Sequence, residues 1–136
     1  MLPSGIIYTV CQMELEGVYP VADFLESLVN DTKSFGAVVD GMRRMSDPRW
    51  HGTPNTTKLK GDPYKGIFEL RMKCGNRYLR LPFIFSGECE AVLMFGEIKK
   101  KAAPTPTFMN RARAYRDKLN SKEANYEPID FTQFDE

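Results

Sequence analysis

The sequence predicts an α+β fold, with one strand and a helix pair preceding a meander and a closing helix. Three observations predict it: two apolar stripes of helical period before residue 46, period-two alternation from residue 67, and a threonine–proline helix start at 105–106. At 136 residues the chain suits one domain, and its 42% apolar and 27% charged residues are ordinary for a globular protein.

The elements follow in order. Residues 5–14, rich in Ile, Val, Tyr and Thr, predict a first strand. Pro20 stands at a first helical position, and Val21, Phe24, Leu25 and Leu28 follow at helical spacing, giving a helix near 20–30. Asp31 is the expected cap of a second helix with the stripe Phe35, Val38, Val39, Met42 and Met45. Residues 46–66, full of Pro, Gly, Asn, Thr and Asp, predict a long loop. Next, Phe68, Leu70 and Met72 alternate with Glu69, Arg71 and Lys73, a strand with one buried and one charged face. Turns at 74–76 and 86–88 separate it from strands 77–85 and 89–98, so three strands form an antiparallel meander and the fold has four strands in all. Pro82 removes one ladder donor within the middle strand. Thr105-Pro106 opens a last helix carrying Phe108, Ala112, Tyr115 and Leu119 on one side.

Charge is unevenly divided. Residues 121–136 hold Lys122 against Glu123, Glu127, Asp130, Asp135 and Glu136, a balance of −4; the total is +1, so residues 1–120 carry about +5. The expected layout is therefore a domain over 1–120 and an acidic, flexible tail over 121–136, with the tail a candidate to fold over a basic site.

Cys11, Cys74 and Cys89, with the single His51, fit neither a disulfide framework nor a zinc site, and free thiols are expected. No apolar window reaches a membrane span and no leader pattern opens the chain, so a cytoplasmic protein is expected. No glycine-rich phosphate loop, H-E-x-x-H or G-x-S-x-G occurs. What remains is a set of cations around the sheet: Lys58 and Lys60 in the loop, Arg71 and Arg80 on strands, and Lys99, Lys100 and Lys101 after the last strand. Pattern alone favours a solvated sheet face over an anion site.

Several segments carry a resemblance. Lys58-Leu59-Lys60-Gly61 with Gly66-Ile67-Phe68-Glu69-Leu70-Arg71, then Tyr78-Leu79-Arg80-Leu81, Leu93–Lys100 (LMFGEIKK), and Pro106 with Ala112 and Arg116, resemble in order the signature of HigB-type toxins of the RelE/ParE superfamily. The resemblance covers about 50–120 and implies a RelE-like fold. It further implies a ribosome-dependent mRNA endoribonuclease, the toxin half of a type II toxin–antitoxin pair, with a helix-turn-helix antitoxin as partner and no metal or other cofactor. The 2′-hydroxyl of the RNA attacks the adjacent phosphorus, a reaction that needs proton transfer and cations for the developing charge. In that frame Lys58 or Lys60 transfers the proton, Arg71 and Arg80 stabilise the transition state, and His51 is a secondary acid–base candidate. Lys99, Lys100, Lys101 and Arg116 hold the RNA backbone. Phe95, where the family often has histidine, and Pro82-Phe83, in place of an aromatic pair, also suit a ParE-like protein-binding toxin acting on DNA gyrase. A non-catalytic prophage accessory protein is the third reading.

Overall fold

The computed structural model describes residues 7–101 and 103–135. Residues 5 and 6 of the expected first strand, and Glu136 of the acidic tail, lie outside them. Strand β1 (Thr9–Glu14) leads into helix α1 (Pro20–Ser27), which starts at Pro20 as its fixed φ favours. Helix α2 (Thr32–Arg44) follows, and its first turn is closed by Asp31, whose carboxylate accepts from the Ser34 amide at 3.2 Å. Val38, Val39 and Met42 on α2, with Val21 and Leu25 on α1, are buried, so the two stripes pack as one apolar face.

The segment expected as a loop over 46–66 holds 3₁₀ turns at Pro48–Trp50 and Asp62–Tyr64 and a short strand, β2 (Thr56–Lys58). Then come β3 (Phe68–Cys74), β4 (Arg77–Ser86), β5 (Glu90–Leu93), β6 (Glu97–Lys99), helix α3 (Pro106–Asn120) and β7 (Asn125–Pro128). Thr105 caps α3 by accepting from the Phe108 amide at 3.1 Å.

The α+β class holds, but the sheet is mixed and seven-stranded in place of the four strands expected, in the order β2-β3-β4-β5-β1-β7 with β6 also paired to β4. Strands β3, β4 and β5 pair antiparallel in succession, β1 joins β5 in parallel, and β7 adds antiparallel to β1. Two of the extra strands, β2 and β7, come from segments too short to show a period, and the third, β6, is split from the expected strand 89–98.

The run 89–98, expected as one continuous strand, breaks at Met94–Gly96. Its first half, β5, lies against Phe83–Ser86 of β4 and its second half, β6, against Tyr78–Arg80. Pro82 sits between those two stretches, and its carbonyl accepts from the Met94 amide at 2.9 Å. In an antiparallel strand the N–H and C=O of one residue point to the same side. The donor that Pro82 lacks would therefore have faced the gap between β5 and β6, which explains why proline is tolerated in a central strand.

The sheet separates two cores. Leu70, Leu79, Leu81, Phe83, Ala91 and Leu93 pack under α1 and α2; Ile67, Ile84, Val92 and Met94 pack with Phe108 and Ala112 under α3. Fully burying an aliphatic or aromatic side chain of this size contributes roughly 1.5–3 kcal/mol, so both layers matter to stability.

The acidic segment, expected as a flexible tail, carries structure of its own. After β7, a 3₁₀ turn at Phe131–Phe134 seats Phe134 against Phe35 of α2, and Arg43 donates to the Phe131 carbonyl at 2.9 Å while pairing with Asp135. It therefore covers the hairpin side of the sheet and not the cations of β3 and β4. No helix among the described residues is long and apolar enough to cross a membrane.

Candidate nucleic-acid interface

Strand alternation decides which side chains meet. With Leu70, Met72, Leu79 and Leu81 under the hairpin, the intervening Glu69, Arg71, Lys73, Tyr78, Arg80 and Pro82 must face the α3 side. The register assembles them into three cross-strand rows: Thr57–Glu69–Pro82, Arg71–Arg80–Glu97, and Lys73–Tyr78–Lys99.

Within the first two rows Glu69, Arg80 and Pro82 are buried, while Thr57, Arg71 and Glu97 are half-buried. Arg80 is fully buried, with one guanidinium nitrogen 3.8 Å from the Glu69 carboxylate and the guanidinium carbon 5.6 Å from the Phe108 ring centroid. It also donates to the Lys101 carbonyl at 2.7 Å, which fastens the lysine run to the sheet. Burial pushes the Glu69 carboxyl above the usual range for a glutamate, an effect opposed by the charges of Arg80 and Arg71 and by a hydrogen bond from Thr57.

The outer part of the same face is open and positive. Arg71 and Tyr78 are half-buried; Lys73, Lys99, Lys100 and Lys101 are exposed. The Arg71 guanidinium and the Lys73 ammonium lie 5.8 Å and 5.9 Å from the Tyr78 ring centroid, so cations flank an aromatic plane. Fixed cations beside an aromatic side chain can take phosphate oxygens and a stacked base together.

The residues singled out from sequence divide between the two faces. Arg71, Arg80 and Lys99 share the α3 side, and Lys100 and Lys101 continue from it. Lys58 stands opposite Phe68, whose side chain belongs to the hairpin side, so it is turned away from Arg71. Lys60 is exposed one residue past Leu59, at the β2 edge of the sheet. His51 lies with the hairpin layer: its Nε2 is 2.9 Å from the Met45 carbonyl, and its ring touches Tyr8 at 4.6 Å and Phe85 at 5.3 Å. Arg116 donates to the Lys65 carbonyl at 2.8 Å and pairs with Asp117, which ties α3 to the loop before β3.

Sequence reasoning did not single out Lys73 and Tyr78 as site residues. The signal was present: a two-residue turn at Gly75-Asn76 places Lys73 opposite Tyr78, on the face already assigned to Arg71. Among the described residues no three His, Cys, Asp or Glu side chains group as metal ligands. No protein-family model matches the chain, and no curated protein matches it.

Proposed function

We propose that the chain is a HigB-type toxin of the RelE/ParE superfamily, a cytoplasmic endoribonuclease that acts on mRNA at the ribosome and is restrained by a helix-turn-helix antitoxin. The observation that carries the RNA part of this reading is the pair of rows that put Arg71, Lys73, Tyr78 and Lys99 on one sheet face. The order strand, helix pair, antiparallel strands, helix agrees with the motif resemblance, which supplies the choice of family.

In this reading Lys73, Lys99, Lys100 and Lys101 bind the RNA backbone with little sequence preference, and a base stacks on Tyr78. Arg71 takes the charge that develops as the 2′-oxygen attacks phosphorus and the 5′-oxygen leaves, giving a 2′,3′-cyclic phosphate and a 5′-hydroxyl. Lys60, exposed at the sheet edge, is the candidate for proton transfer. Arg80 is a positioning residue, acting through Lys101, and Lys58 and His51 lie apart from the reaction.

The test is cleavage of mRNA in a translating extract by the wild-type chain and by Arg71→Ala and Lys60→Ala variants, with fragment ends mapped. Cyclic phosphate ends that disappear in Arg71→Ala are expected. Full cleavage by both variants overturns the assignment.

A ParE-like toxin acting on DNA gyrase is the second reading, favoured by the placement of Lys58 and His51 on the face opposite Arg71. Intact mRNA combined with inhibited supercoiling would select it.

A further inference from the structure

On the opposite side of the sheet, and independent of the basic face, a cavity of about 210 Å³ lies where the C-terminal segment crosses the helix hairpin. Gln12, Val21, Leu25, Phe35, Ile129 and Phe134 line it. The rings of Phe35 and Phe134 meet edge to face at 5.9 Å, so one aromatic wall comes from α2 and the other from the 3₁₀ turn after β7. The walls are thus supplied by four separate parts of the chain, β1, α1, α2 and the C-terminal segment.

Gln12, Glu26 and Gln133 are the polar members of a lining that is otherwise apolar. The Gln12 side-chain oxygen is buried and has no hydrogen-bond partner among the described residues. A buried amide oxygen left without a donor costs free energy that a bound N–H or O–H would recover. Gln12 lies on the hairpin side of β1 by alternation, since its neighbours Cys11 and Met13 are buried in the α3-side core.

We propose that this cavity is a binding site for a small aromatic molecule with a single N–H or O–H donor, its ring held among Phe35, Leu25 and Phe134 and its donor directed to Gln12. Size supports the class: an apolar cavity of roughly 150 Å³ is enough for a benzene-sized ring, so a bicyclic ring suits the space here. Glu26, at the lining and exposed, sets the charge preference: a neutral or cationic substituent is accepted and a carboxylate is disfavoured. Because Ile129, Gln133 and Phe134 belong to the C-terminal segment, occupancy also fastens that segment to the hairpin.

The experiment is an amide NMR titration of the full chain with indole, and with indene, which has the same shape and no donor. Indole is expected to shift the Gln12 side-chain amide and the Ile129 and Gln133 backbone amides saturably, binding roughly tenfold more tightly than indene. Gln12→Met should abolish that preference. Ala22→Trp, at an exposed α1 position that lines the cavity, should remove binding with an unchanged thermal midpoint. Tryptamine should bind more tightly than indole-3-acetate. The proposal is overturned by an absence of saturable shifts, by equal affinity for indole and indene, or by binding that survives Ala22→Trp in a folded chain.

Discussion

Arg71 and Arg80 are direct partners across the β3–β4 ladder, yet Arg80 is wholly buried and Arg71 is half-exposed. Like charges opposite one another disfavour a sheet, so the pairing needs compensation. Glu69 beside Arg80, and Glu97 opposite it on β6, supply it. The two arginines therefore differ in setting: Arg80 is locked inside the fold, and Arg71 reaches the open face that the proposed function assigns to RNA.

That division predicts a split between stability and binding. Arg80→Ala leaves Glu69 buried without its ion partner and should cost roughly 3–5 kcal/mol in denaturant unfolding, as removing one member of a buried pair does. Arg71→Ala should change stability by no more than about 1 kcal/mol while weakening RNA binding. Equal stability losses from the two substitutions would contradict the assignment.

Salt dependence gives a second prediction for the same face. If Lys73 and Lys99 contact phosphates, neutralising either should lower the slope of log affinity against log salt by about 0.7 for single-stranded RNA. Lys58→Ala, on the other face, should leave the slope unchanged in filter-binding or anisotropy titrations.

The helical part of this arrangement was legible because its signals are local. Pro20 marks a helix start through its fixed φ, Asp31 and Thr105 through side-chain caps on nearby amides, and all three stand there in the structure. Strand β3 was readable from alternation, and β4 from the turns that bound it. The short strands β2 and β7 were not, because three or four residues carry no period and their pairing depends on distant partners, and the break that splits β6 from β5 within 89–98 was not either. The candidate site shared this fate. Arg71 could be placed on a polar face from sequence, but the orientation of Lys58 and the burial of Arg80 depend on a register fixed by β2 and β6. A charge asymmetry does not reveal that Phe131 and Phe134 anchor the acidic segment beneath α2.

Asp31 yields a pH prediction. Hydrogen bonds from Ser34, with the Arg77 guanidinium at 2.6 Å, hold its carboxyl down at about 2 against an ordinary 3.8. A depressed folded-state value means stability that is present above the unfolded value and lost as pH falls through the folded one. The wild type should therefore exceed Asp31→Ala in thermal midpoint above pH 4, with the gap narrowing between about 4 and 2. A gap of constant size across that range would refute the linkage.

Cys11 should be the least reactive thiol. It is fully buried, and burial, reinforced by the charge of Glu90, raises its pKa to about 11. The thiolate is the reactive form, so at pH 8 the native chain should leave Cys11 unlabelled by iodoacetamide, while denaturation exposes it. Peptide mapping after brief labelling checks this; modification of native Cys11 at the rate of a free thiol would contradict it.

Gly96 lies in the break between β5 and β6, and a Cβ there would clash with the edge of the Phe24 ring from α1. The ring cannot retreat freely, because Phe24 packs against the hairpin-side core. Gly96→Ala must then shift either α1 or the start of β6, at a cost of about 1–3 kcal/mol for overpacking. Displacing β6 would also move Lys99 away from Tyr78, so RNA affinity should fall with stability. Shortening the ring opens the space: Phe24→Leu combined with Gly96→Ala should be less destabilised than the sum of the single variants by at least about 0.5 kcal/mol. A strictly additive double mutant would show that Gly96 tolerates a side chain without meeting Phe24, and that the break between the strands has another cause.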